Sequence, residues 1–127
     1  MLRDAAATQQ KLKELAELGV KIALDDFGTG FSALVYLRDL PTKVLKLDKT
    51  FVEQGKSNGI LVQGITALAG RLDQEVVAEG IETASQRDLM VSLGCKYLQG
   101  YYFAPPMPER HFSSWLKSSK DSWPVTP

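Results

Sequence analysis

Side chains suited to acid–base or metal chemistry recur along this chain at near-regular intervals: the pair Asp25-Asp26, then Lys46, Glu79 and Gln99. Two adjacent carboxylates repel, and burying such a pair without a cation is costly. Within Leu24–Leu34 (LDDFGTGFSAL) the pair closes a short apolar run and is therefore a candidate metal site, and the glycines behind it let backbone approach a ligand closely. The intervals of 21 (25 to 46), 33 (46 to 79) and 20 (79 to 99) residues are each one strand–helix unit long. Strand side chains alternate between faces, so Asp25 shares a face with Ala23, Lys46 with Val44, Glu79 with Val77 and Gln99 with Tyr97. In each pair the polar member closes the strand and the apolar one lies a layer below. Such groups on one rim are how a (β/α) barrel builds an active site at the C-terminal face of its sheet.

The elements that must position them follow from hydrophobic spacing. Asp4 caps a helix reaching about Leu18, with Leu12, Leu15, Ala16 and Leu18 as its apolar stripe and Gly19 as its stop. Strands are predicted over Ile22–Asp25, Val44–Leu47, Glu75–Glu79 and Tyr97–Gln99. A short helix runs from about Ser32 to Asp39 before Pro41, and a longer one over about Gly59–Leu72, striped by Leu61, Ile65, Leu68 and Leu72 with Asp73 in the following turn. Thr83 and Gln86 form a capping box for a helix ending at Gly94. Pro105 and Pro106 fix the turn into a last helix, opened by Pro108, that Phe112 and Trp115 pack onto the sheet. Residues 1–118 thus form one α/β unit and residues 119–127 a frayed tail. Strands alternating with helices predict a parallel sheet. A full barrel needs about 250 residues, so 127 supply about four of its eight units.

Asp25-Asp26-Phe27-Gly28-Thr29-Gly30-Phe31-Ser32, Leu45-Lys46-Leu47-Asp48, Val77-Ala78-Glu79-Gly80-Ile81-Glu82 and Gln99-Gly100-Tyr101 together resemble successive motifs of the EAL-domain family. These are cyclic di-guanylate phosphodiesterases built as TIM-like barrels, and the likeness runs from about Leu12 to Leu116. The resemblance implies the C-terminal half of a TIM-like (β/α)8 barrel, with four parallel strands alternating with helices. It implies metal ligation by Asp25, Asp26 and Glu79, with Asp25 bridging two divalent ions. It makes Lys46 and Glu79 catalytic, Lys46 by positioning or activating the attacking water, and it places Gln99, Phe27, Gly28 and Glu82 at the substrate or in support of its loop. It also implies self-association, through the Asp26–Phe31 loop or the uncovered barrel face. Oxygen ligands of this kind suit Mg2+ or Mn2+. The Glu-Ala-Leu segment and the first four strands, with their Glu, Asn and Glu ligands, have no counterpart here, so the expected unit is half of an enzyme, inactive alone or reduced to binding. Two copies closing as half-barrels would hide the inner face Ala23, Val44, Val77 and Tyr97, whose exposure otherwise marks an association site.

Composition narrows the alternatives. Fifteen basic and 15 acidic side chains leave no net charge to draw the chain to DNA or anionic lipid. There is no apolar run long enough to span a membrane and no secretory core at the start, and the single Cys95 fits a reducing cytoplasm. Gly28-Thr29-Gly30-Phe31-Ser32-Ala33 matches the G-x-G-x-x-A dinucleotide fingerprint, with Asp48 20 residues past Gly28. A pyrophosphate there would face Asp25 and Asp26, and the repulsion argues against it. Asp26-Phe27-Gly28 also spells a kinase triplet, but no catalytic loop accompanies it. His111 has no second histidine to join it at a metal, Cys95 reads as a small buried residue, and Tyr101, Tyr102 and Phe103 either stack on guanine or pack in the core.

Overall fold

A computed structural model describes residues 5–28 and 33–119. The expected Asp4 cap, loop residues 29–32 and the tail from 120 onward, with Trp123, lie outside the described residues. The order is α1 (Ala5–Glu17), β1 (Ala23–Phe27), α2 (Ala33–Asp39), β2 (Val44–Leu47), α3 (Lys49–Glu53), α4 (Gly59–Arg71), β3 (Glu75–Ala78), α5 (Ala84–Ser92), β4 (Tyr97–Leu98) and α6 (Glu109–Ser119). All strand pairings are parallel and the strands lie in chain order, β1-β2-β3-β4. That order has no topological switch point, the crevice where an open doubly wound sheet binds a dinucleotide, so the fold is a barrel segment.

One face of the sheet carries the core. Leu45, Leu47, Val76 and Ala78 point into it and meet Leu37 of α2, Phe51 and Val52 of α3, Val62 and Ala69 of α4, and Met90 of α5. Among the described residues the other face has no such cover: Ala23 is exposed, Val44 and Val77 are half-buried and Tyr97 is 48% exposed. The predicted inner layer is thus open. Among the described residues no helix is long and apolar enough to cross a membrane.

Several local expectations hold at residue level. Thr83 Oγ1 accepts from Gln86 N, and Gln86 Oε1 accepts from Thr83 N, closing the capping box. Gly19 ends the first helical run with φ +93° and Asp73 takes the turn after α4 with φ +59°. Others are corrected. Helix α4 buries Val62 and Ala69 and half-buries Ile65, while Leu61, Leu68 and Leu72 stay exposed. Ile60, Leu61, Val62 and Ile65 make the helix apolar on more than one side, so spacing alone could not choose which side the sheet covers. Leu15 on α1 and Leu18 just after it are exposed rather than packed. Helix α6 buries no residue: Phe112 is 47% exposed and stacks on Trp115, centroids 6.0 Å apart, instead of both entering the core. Ser119, expected in the tail, is still helical.

Candidate functional site

Strand β1 extends two residues past its predicted end because it carries a bulge. Ala23 pairs with Val44 and Leu24 with Leu45, but Leu47 pairs with Phe27, so β1 spends one extra residue opposite Lys46. Asp26 takes φ +51°, a conformation that aspartate tolerates better than most side chains. Strict alternation would send Asp25 and Asp26 to opposite faces. The bulge puts both carboxylates on the open side and turns Phe27 into the core, 3% exposed. Asp25 Oδ1 also accepts from the Asp26 amide at 2.9 Å, tying the bulge to the side chain it presents.

Across the rim, Lys46 Nζ lies 2.8 Å from Glu79 Oε1 and 3.8 Å from Asp25 Oδ1. Lys46 and Glu79 side chains are 27% and 19% exposed, Asp25 62%, so the ion pair is largely shielded while the first aspartate faces outward. The hydrogen bond to Glu79, helped by the charges of Glu79, Asp25 and Asp26, raises the Lys46 ammonium above the ordinary lysine range against the opposing pull of desolvation. Carboxylate oxygens of Asp25, Asp26 and Glu79 all lie within 4.8 Å of one another. Glu79 sits one residue beyond β3, and its amide still donates to Leu47 O at 3.1 Å. Two of the predicted site residues stand elsewhere. Phe27 offers the rim only its backbone, for the reason given by the bulge. Glu82 is exposed, and its carboxylate is not among the three that converge; its amide instead donates to Gln86 Oε1 at 2.7 Å.

Gln99 lies past the end of β4, yet its backbone is fixed on both sides. Its amide donates to Ala78 O at 2.9 Å and its carbonyl accepts from Ile81 N at 3.0 Å. Gly100 follows, so close to the backbone of Ile81 that a Cβ there would overlap its N, C and O atoms. Tyr101, Tyr102 and Phe103 are all exposed, which removes the core-packing reading. Arg87, which sequence reasoning passed over, donates to Tyr102 Oη at 2.8 Å, and Tyr102 meets Phe103 edge-on with centroids 5.2 Å apart. No periodic signal marks Arg87; only the fold brings α5 beside this segment.

Beneath the rim lies α3, also unseen in the sequence. Asp48 is its N-cap, accepting from Thr50 N at 3.0 Å and Thr50 Oγ1 at 2.7 Å, which holds the Asp48 carboxyl below its usual range. Asp48 is therefore committed to a helix end and is not a ribose ligand. Gly28 (φ +95°) rests on the Phe51 ring, where a Cβ would come within 2.5 Å of Cζ. Gly80 rests on Lys49 in the same manner, its Cβ position 2.6 Å from that of Lys49. One short helix thus backs the glycine that follows each carboxylate-bearing strand end.

The donor set fits a hard divalent cation: three carboxylates from two strand ends, oxygen only, on one rim. It fits one such ion better than two. Three carboxylates give one octahedral ion half of its six oxygens, with water completing the shell, whereas spread over two ions they leave each with few protein ligands. Together the sequential parallel sheet and the acidic rim with its lysine define a (β/α)-barrel segment with three carboxylates converging at one end. The EAL-domain sequence model matches residues 1–106, and the chain belongs to the EAL-domain family. It is 42% identical over 110 residues to MucR of Pseudomonas aeruginosa, a bifunctional diguanylate cyclase/cyclic di-GMP phosphodiesterase. That match takes in 84% of this chain and only 16% of MucR. The EAL domain of Mycobacterium smegmatis DcpA superposes with a TM-score of 0.85 at 35% identity, over 92% of this chain and 54% of that one. A manganese and cyclic di-GMP complex of Klebsiella pneumoniae BlrP1 superposes at 0.74 and 31% identity, over 80% of this chain and 26% of that protein. EAL domains are metal-dependent TIM-like barrels, and this chain covers about half of one.

Proposed function

We propose that this chain supplies the second half of a site that hydrolyses cyclic di-GMP to the linear dinucleotide, and that alone it binds but does not turn over its substrate. The observation that carries the reading is the convergence of Asp25, Asp26 and Glu79 around Lys46 on one rim. Asp25, Asp26 and Glu79 would hold Mg2+ or Mn2+. Such ions, when bound, lower the pKa of a coordinated water and draw charge off phosphate oxygens. The chain's own residues do the rest of the positioning. The Lys46 ammonium supplies a positive charge beside the place where phosphate charge develops. Gln99, its backbone bonded to Ala78 and Ile81, would present its side-chain amide to the substrate. Gly28, backed by Phe51, keeps the loop beside Asp26 free of a side chain. Tyr101, 70% exposed beside Gly100, offers a ring face for a guanine base.

The shortage of oxygen ligands for a second ion supports binding over turnover. Self-association belongs to the same reading, supported by the open inner face and by the outer edges of β1 and β4, which have no neighbour among the described strands. A cytoplasmic setting fits the lone buried thiol of Cys95. The test is titration of cyclic di-GMP into the chain with Mn2+, alongside an assay for the linear product. Binding that Asp25→Ala abolishes, with no product, is the expected result. Binding unaffected by Asp25→Ala, or no binding at all, would overturn the reading. Product formation sensitive to Asp25→Ala would show that the half-site is sufficient.

A further inference from the structure

Lys46 Nζ and a cation held by the carboxylates draw on the same oxygens. The ammonium is 2.8 Å from Glu79 Oε1 and 3.8 Å from Asp25 Oδ1, and those two residues supply two of the three mutually close carboxylates. We propose that Lys46 is the built-in counter-cation of this group, and that a divalent ion binds in competition with it, taking Glu79 and Asp25 from the ammonium and releasing the lysine toward the open side of the rim. The inference rests on the reading above that Asp25, Asp26 and Glu79 hold metal.

Shared partners and like charge set the two cations against each other. An ion on the carboxylates of Glu79 and Asp25 would face an ammonium still held by the same two groups. Even at water-like screening, that repulsion is worth on the order of tenfold or more in affinity. A lysine on a flexible stem relieves it by swinging away, whereas a fixed dipole could not. The consequence is a coupling: metal entry and the freeing of a positive charge for a phosphate are one event.

The experiment is a Mn2+ titration of the full 127-residue chain by calorimetry, with Lys46→Met, Lys46→Arg and Asp25→Ala beside the unaltered protein. Competition requires that Lys46→Met bind Mn2+ about tenfold tighter, that Lys46→Arg stay within about threefold of the parent, and that Asp25→Ala bind far more weakly. If the parent shows no measurable binding, Lys46→Met must gain it. Unchanged or weakened Mn2+ affinity in Lys46→Met, while Asp25→Ala still loses it, overturns the competition and leaves the metal site standing. Affinity indifferent to Asp25→Ala overturns the metal site itself. A readout independent of variant folding comes from reductive 13C-methylation of the lysines. Mg2+ must shift the resonance that Lys46→Arg removes, and a resonance unmoved at saturating Mg2+ sinks the idea.

Discussion

An added methyl group separates two kinds of glycine in this chain. At Gly100 a Cβ would overlap backbone atoms of Ile81, which cannot swing aside as a side-chain tip can. Gly70, inside α4, has nothing within 4 Å of its Cβ position. Gly100→Ala is therefore expected to cost more than about 2 kcal/mol, through strain at a packed backbone contact. Gly70→Ala should gain about 0.4–1 kcal/mol by restricting the unfolded chain. Urea unfolding of the two variants checks both signs, and Gly100→Ala should also weaken cyclic di-GMP binding because Gln99 moves with its neighbour. Cys95 gives a pH expectation of definite sign. Burial pushes its thiol up to about 11, so the folded state favours the neutral form. Its contribution to stability is whole below the ordinary thiol range and is lost as pH rises through about 11. The thiolate absorbance near 240 nm should appear only in that window, and a midpoint below about 9 would contradict the burial.

Helix α3 shows what kind of element the sequence hides. Five residues are too few to show a helical period, and Lys49–Glu53 betrays itself only by Asp48 placed to cap it. Yet α3 backs Gly28 through Phe51 and Gly80 through Lys49. Asp48→Ala should cost about 1 kcal/mol, the usual worth of a cap. Because the helix backs the glycine after each carboxylate-bearing strand end, it should also weaken Mn2+ binding at temperatures where the chain is still fully folded. Retained affinity with lowered stability would show that α3 supports the fold without positioning the site. The β1 bulge was hidden for a different reason. Alternation is the rule that reads faces from sequence, and a bulge breaks that rule at Asp26, so the sharing of one side by Asp25 and Asp26 and the inward turn of Phe27 were both illegible. What was legible depended on period and interval: strand β2 to the residue, the capping box at Thr83 and the spacing that brings Asp25, Lys46 and Glu79 to one rim. Burial on α4 was not, since an all-round apolar helix leaves the choice of face to the sheet it meets.

At the scale of the whole chain, the question is what covers the open side of the sheet. Ala23 and Tyr97 are exposed there, and neither β1 nor β4 has an outer neighbour among the described strands. Two copies closing into one barrel would supply the right number of strands, eight, but the helices do not match. Among the described residues each chain has five helices of seven residues or more, one of them before β1 and one after β4, so two copies bring ten. A closed barrel of eight strands has room for eight outer helices, one per strand. At each seam, α6 of one copy and α1 of the other would need the same crevice. Neither helix contributes to the core, and both keep exposed apolar residues, Leu15 on α1 and Phe112 and Leu116 on α6. Self-association through this face is therefore expected to be open-ended rather than a closed pair. Sedimentation velocity should show average mass rising steadily with concentration and no plateau at the dimer. Tyr97→Glu, which charges the open face without touching the core, should lower that mass while leaving the far-ultraviolet circular dichroism unchanged. A sharp dimer that persists on dilution would mean that one terminal helix leaves its place to let the barrel close.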